Sequence, residues 1–237
     1  MSSTSRSNSS ITTARRLRRF TAGASLIVFP ALLVPQGLID PAEGGTGEVM
    51  FRAASESAGA LTTSALLLLV SGILMAPAAA GVLHQARERG AGLANGGAVL
   101  AVLGGFGHFG IAMFYFVALA LPGGDRAEMV AYIDRLNENP VLGFVAFPLI
   151  LCFGLGVLVL PWAAWRAGAA PLWAPLVATT VVLSHFLLPE TVLAVEVAGL
   201  VALSVVFGYL GVRVLRMTDA GWDGVRPTAH DEAPMPA

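Results

Sequence analysis

An all-α, polytopic transmembrane bundle is the fold class this chain of 237 residues predicts, on three observations. Hydrophobic residues make up 56% of the chain and charged residues only 12%, where a soluble domain carries about a quarter charged. Six apolar runs approach or exceed the ~20 residues that a helix needs to cross a bilayer. The arginines alternate between dense and sparse in the segments joining those runs. Helices are the form such runs take, because a backbone group facing lipid has to find its hydrogen bond within its own segment.

Charge and cysteine content narrow the class further. With 14 basic and 15 acidic residues the chain lacks the clustered basic surface of a nucleic-acid binder. Cys152 is the one cysteine and lies inside an apolar run, so it offers neither an intrachain disulfide nor a thiolate metal cluster. Its expected role is that of a small buried hydrophobe. No cofactor is expected, and the expected partners are the lipid bilayer and a small lipophilic or cationic ligand.

Taken in order, residues 1–19 form a Ser/Thr/Arg tail that buries too little apolar surface to fold alone, and disorder is expected there. The first span, 20–38, follows Arg15, Arg16, Arg18 and Arg19; its length, Pro30 and Pro35, and the lack of an Ala-x-Ala ending argue against a cleaved signal peptide. Further spans are expected near 58–83, 97–121, 141–164, 171–188 and 190–215, with a second disordered tail over 216–237. The fifth is the shortest, and only Leu188-Pro189 joins it to the sixth, which predicts a tight hairpin.

Short amphipathic helices are expected in two loops. Asp125-Arg-Ala-Glu128 has the spacing of a capping box, and Met129, Val130, Ile133 and Leu136 then fall on one helical face until Asn139-Pro140 ends it. Residues 48–56 are expected to form a similar helix before the second span. Placing the N-terminus in the cytoplasm puts eleven of the fourteen arginines on that side and leaves only Arg52, Arg126 and Arg135 outside. By the positive-inside rule this predicts both termini in the cytoplasm of a plasma-membrane protein, with Trp162, Trp165 and Trp173 at the cytoplasmic interface.

The arginine-led first span with its prolines, Pro77-Ala-Ala-Ala-Gly81 followed by Arg87-Glu-Arg-Gly90, and Glu138-Asn-Pro140 before the fourth span make up a recognisable layout. It resembles a large group of uncharacterised actinobacterial multi-pass membrane proteins with about six spans. The resemblance covers residues 15–216 in outline and implies the membrane fold, but no activity and no site residues.

Ionisable residues inside the apolar runs are the functional candidates, since a charge in hydrocarbon is expensive. The stretch His185-Phe-Leu-Leu-Pro-Glu190-Thr-Val-Leu-Ala-Val-Glu196 carries three of them. With the helix starting at Glu190, Glu196 lies about 9 Å and His185 about 5 Å below the outer surface, so the two are expected to meet across the hairpin. That pair is either a structural hydrogen bond or a protonatable site with Glu196 as its acid. Glu190 is expected at the membrane edge as a helix-start carboxylate. In the third span, Gly104-Gly-Phe-Gly-His108-Phe-Gly110 gives helices room to approach closely and places His108 near the midplane. Phe106, Phe109, Phe114 and Tyr115 are the aromatic groups near it, serving either as packing or as faces for a cation. A depth offset near 15 Å argues against a haem between His108 and His185.

Three functions fit these residues. The first is a non-enzymatic bundle responsive to a small ligand or a proton, with Glu196 and His185 as its ionisable site. The second is a membrane enzyme on an isoprenoid-like substrate, with Glu196 as general acid and the third-span aromatics lining the pocket, which requires that all of them share one cavity. The third is a structural or regulatory subunit.

Overall fold

The structure is a computed structural model that describes residues 4–42, 45–187 and 193–223. Its elements are helical throughout, with no strand among the described residues. Five helices are long and apolar enough to cross a membrane: α1 (Thr4–Ile39, apolar from Thr13), α3 (Ala58–Ala86), α4 (Ala91–Ala118), α6 (Pro140–Arg166) and α8 (Leu193–Arg216). The fifth expected span, α7 (Trp173–Leu187), has 15 residues, a rise of about 22 Å that falls short of a ~30 Å hydrocarbon core. Two short helices, α2 (Gly47–Glu56) and α5 (Arg126–Asn137), lie together across one end, here called the cap end. At the opposite, basic end, α9 (Asp219–Asp223) folds back against the bundle.

The long helices pack as successive antiparallel neighbours: α8 on α1, α1 on α3, α3 on α4 and α4 on α6, with α7 lying more loosely against α6 and α8. Missing side chains set the close approaches. A Cβ at Gly104 would stand 2.4 Å from the Phe153 Cα, and one at Gly156 would stand 2.5 Å from the Ala101 backbone nitrogen, so α4 and α6 touch backbone to backbone. On the other side of α4, Gly105 and Gly72 each leave room for the other's carbonyl oxygen. This is the small-residue packing that replaces a hydrophobic driving force between helices in lipid. At mid-depth α1 and α8 are joined by Phe29 and Phe207, edge to face with centroids 5.0 Å apart.

Both cap helices form where the local sequence directs. Asp125 accepts from the Glu128 backbone N–H at 3.1 Å, and Ile133 is buried with Met129 and Leu136 packed beside it. Thr46 caps α2, and the first residue of that helix, Gly47, sits so close to Val130 that a Cβ would overlap its carbonyl oxygen. The Gly47 N–H donates to Asp134 Oδ1 at 2.7 Å, and Arg126 pairs with Glu48, which fastens α2 to α5. Asn139 does more than end α5, since its Oδ1 accepts from the Val141 N–H at 2.9 Å and caps α6.

Among the described residues, parts of both stretches expected as disordered tails are helical. The Ser/Thr/Arg stretch from Thr4 on continues α1, because the helix propagates beyond its apolar part. After Arg216, Trp222 is buried and stacked on His84, while Asp219 pairs with Arg16 and Arg19. Of the three tryptophans expected at the interface, Trp162 and Trp165 meet edge to face and Trp162 donates to Thr179 Oγ1 at 3.0 Å, fixing α7 on α6. Trp173 packs instead on Tyr209 of α8. The cap-end part of α6, 140–148, is exposed on every face, and α6 is less buried as a whole than α1, α3 and α4. The firm core is therefore α1, α3, α4 and the facing parts of α6 and α8.

Candidate functional site

The structure distributes the expected site residues over three places. Glu190 lies outside the described residues. His185, near the end of α7, and Glu196, in the first turn of α8, are both exposed. The level of Glu196 in the bundle follows from the pairing of α8 with α1, in which Gly211 faces Gly23 and Leu200 faces Gly37. Glu196 is then one turn beyond Leu200, about 6 Å by helix rise, and level with the end of α1. It stands at the rim of the bundle, where a carboxylate also complements the positive end of its own helix.

The aromatic residues of α4 divide between two faces. Phe106 is 60% exposed and Phe109 46% exposed, so both point away from the core. Tyr115 points inward and is buried, and Phe114 packs partly against the same core. Since α4 packs on α3 and α6 whereas α8 packs chiefly on α1 and α7, Glu196 does not share a cavity with Phe106 and Phe109. The pocket that an isoprenoid-type enzyme requires is not formed by these residues.

His108 is where the sequence places it, deep in the bundle. It is 8% exposed, its ring centroid lies 4.3 Å from that of Phe153 on α6, and its Cβ lies 3.2 Å from where a Cβ at Gly72 on α3 would be. Its Nδ1 is buried and finds no hydrogen-bond partner among the described residues. Such a group is an exception among buried polar atoms, the large majority of which are paired. Among the residues against this stretch of α4 are Gly72 and Met75 from α3 and Leu149, Ile150 and Phe153 from α6, none of which is ionisable.

Seven residues further along the same buried face of α4, about 10 Å toward the cap end, Tyr115 belongs to a polar cluster that the sequence does not reveal. Its hydroxyl donates to Asp40 Oδ2 at 2.8 Å, and the Gln36 amide donates to that oxygen at 2.8 Å and to Ser64 Oγ at 3.1 Å. Asp40 Oδ1 accepts from the Ala42 N–H at 3.0 Å. One turn pair below Ser64 on α3, the buried Ser71 donates to the Phe29 carbonyl at 3.1 Å. Asp40 reads as a loop acid in the sequence. The available signal was spacing: Gln36 and Asp40 are four apart, while Ser64 and Ser71, like His108 and Tyr115, are seven apart, so each pair shares a helix face.

These polar groups lie where α1, α3 and α4 meet, running from Asp40 at the cap end to His108 at mid-depth. The arrangement can hold or pass a small charged species, and its closest pairing of a hydroxyl with a carboxylate is Tyr115 with Asp40. Compared with known proteins, the chain matches no family model, no curated protein and no solved structure.

Proposed function

We propose that this is a non-enzymatic, proton-responsive bundle of the cell membrane, with His108 as its ionisable switch. The observation that supports it is the buried Nδ1 of His108, which has no partner among the described residues and lies on the α4 face that also carries Tyr115. Protonation gives imidazole an N–H at both nitrogens, so each then needs an acceptor. Nδ1 has no such partner among the described residues, so the ring or the helices around it must shift to supply one. The reading keeps the proton-responsive function expected from the sequence and moves its switch from Glu196 and His185 to His108.

The expected result is a transition in tryptophan fluorescence of the detergent-solubilised protein as the pH is lowered from about 8 to about 4. Replacing His108 with Gln or Leu should abolish it. His108→Leu should leave the protein as stable or about 1 kcal/mol more so, because an unsatisfied buried polar group is replaced by an apolar one. A transition that persists in both variants, or a flat wild-type profile, would remove the proposal.

Six spans with both termini in the cytoplasm complete the reading. In the sequence this orientation puts eleven arginines in the cytoplasm against three outside, which supports it, as does the apolar composition of α7, although its helix is shorter than the other spans. A reporter active only in the cytoplasm is expected to work when fused after Arg216 and to stay silent within 125–138. The reverse pattern would invert the protein.

A further inference from the structure

The carboxylate of Asp40 is surrounded by neutral groups. Its donors are a phenol, a side-chain amide and a backbone N–H, and none of the ion pairs among the described residues includes it. Arg126, on the cap helices above, is engaged with Glu48 instead. The shell around the cluster is apolar, with Met50, Leu61, Ala65 and Ile133 buried beside Tyr115 in one core. A half-buried negative charge in such a setting is costly unless a positive charge balances it, and hydrogen bonds from neutral donors supply only part of that balance.

We propose that Asp40, the hydroxyls of Tyr115 and Ser64 and the side-chain carbonyl of Gln36 form a binding site for a small monovalent metal cation, sodium being the representative case. All four ligands present oxygen, which suits a hard cation. A single carboxylate matches a single positive charge, whereas calcium sites gather six to eight oxygens and usually several carboxylates. Gln36 supplies the change of state. With its NH2 toward Asp40 and Ser64 it occupies the place of the cation by hydrogen bonding, and turned over it offers Oε1 to the metal and releases both oxygens as ligands. Asp40 is partly exposed at the end of α1, so the ion reaches it from the cap end without crossing the core. The site goes beyond the His108 reading and does not depend on it.

The test is the melting temperature of the full chain in detergent, in sodium, potassium, ammonium and choline chlorides at equal ionic strength and fixed pH. Sodium is expected to raise it saturably over choline, by about 5 °C at a hundredfold excess over its dissociation constant. Asp40→Asn should abolish the difference, while Tyr115→Phe and Ser64→Ala should each weaken sodium binding about tenfold. If Asp40→Asn does not fold, Gln36→Leu provides the same comparison. The sodium shift should survive in His108→Gln, so the two readings stand or fall separately. Equal stabilisation by all four salts would show screening alone, and ammonium matching sodium would show an amine site; either overturns the assignment. So does an Asp40→Asn effect that depends on pH and not on sodium, which would make Asp40 a proton site.

Discussion

Replacing Gly104 with alanine is expected to cost about 3 kcal/mol, the upper part of the usual range for overpacking, and valine is expected to prevent folding. The added Cβ would meet the Cα, backbone nitrogen and Cβ of Phe153 at 2.4, 2.6 and 2.7 Å, and no rotamer change removes a clash with backbone. Relief requires α4 and α6 to separate along their whole length, which also breaks the contact of Ala101 with Gly156. His108 would lose its position beside Phe153, so any pH response should vanish together with stability. Gly110 is the control, because nothing lies within 4 Å of a Cβ there. Gly110→Ala should be neutral or gain up to roughly 1 kcal/mol from helix propensity. Thermal unfolding in detergent decides it: a Gly104→Ala protein as stable as wild type would mean that the α4 and α6 backbones are not in contact.

Trp222→Ala is expected to cost about 3 kcal/mol as well, and to release the segment after Arg216. The indole is buried, stacks on the His84 ring at 3.7 Å between centroids and 20° between planes, and belongs to the same core as Val82, Leu210 and Val214. Arg87 holds the chain beside it, donating to the carbonyls of Trp222 at 2.8 Å and Gly221 at 3.0 Å. Asp219→Asn should cost under about 1 kcal/mol by comparison, since its pairs with Arg16 and Arg19 are partly solvated and such ion pairs contribute little. Limited proteolysis reads the difference: cleavage after Arg216 should accelerate in Trp222→Ala and stay slow in Asp219→Asn. Equal cleavage of the wild type and Trp222→Ala would show that the indole does not hold the segment.

The tail after Arg216 illustrates how far a sequence carries such an argument. Asp219 and Trp222 stand in a polar, poorly patterned stretch, and their partners lie far away in sequence on α1 and α3. Composition alone makes that stretch a disordered tail, because the surface it buries belongs to other helices. Asp40 misleads in the same way. Next to Pro41 and Glu43 it looks like one more loop acid, and only the approach of Tyr115, 75 residues on, makes it the centre of a cluster. Glu196 shows the same dependence on packing: it is an acid amid Val, Leu and Ala, and its exposure near the level of the end of α1 is set by how α8 lies on α1.

What the sequence determined by itself was everything governed by local chemistry. Apolar length requires helices of span size, Asp125 and Glu128 start α5, and the glycines around His108 allow helices to meet there. What only the tertiary structure decided was which face of each span looks inward. In a soluble helix the polar face marks the outside, but a span is apolar toward lipid and toward its neighbours alike, so Phe106 and Tyr115 are indistinguishable until α3 and α6 are in place. Polar pairing across helices is likewise a property of packing, and the cluster of Gln36, Asp40, Ser64 and Tyr115 exists only once α1, α3 and α4 have met.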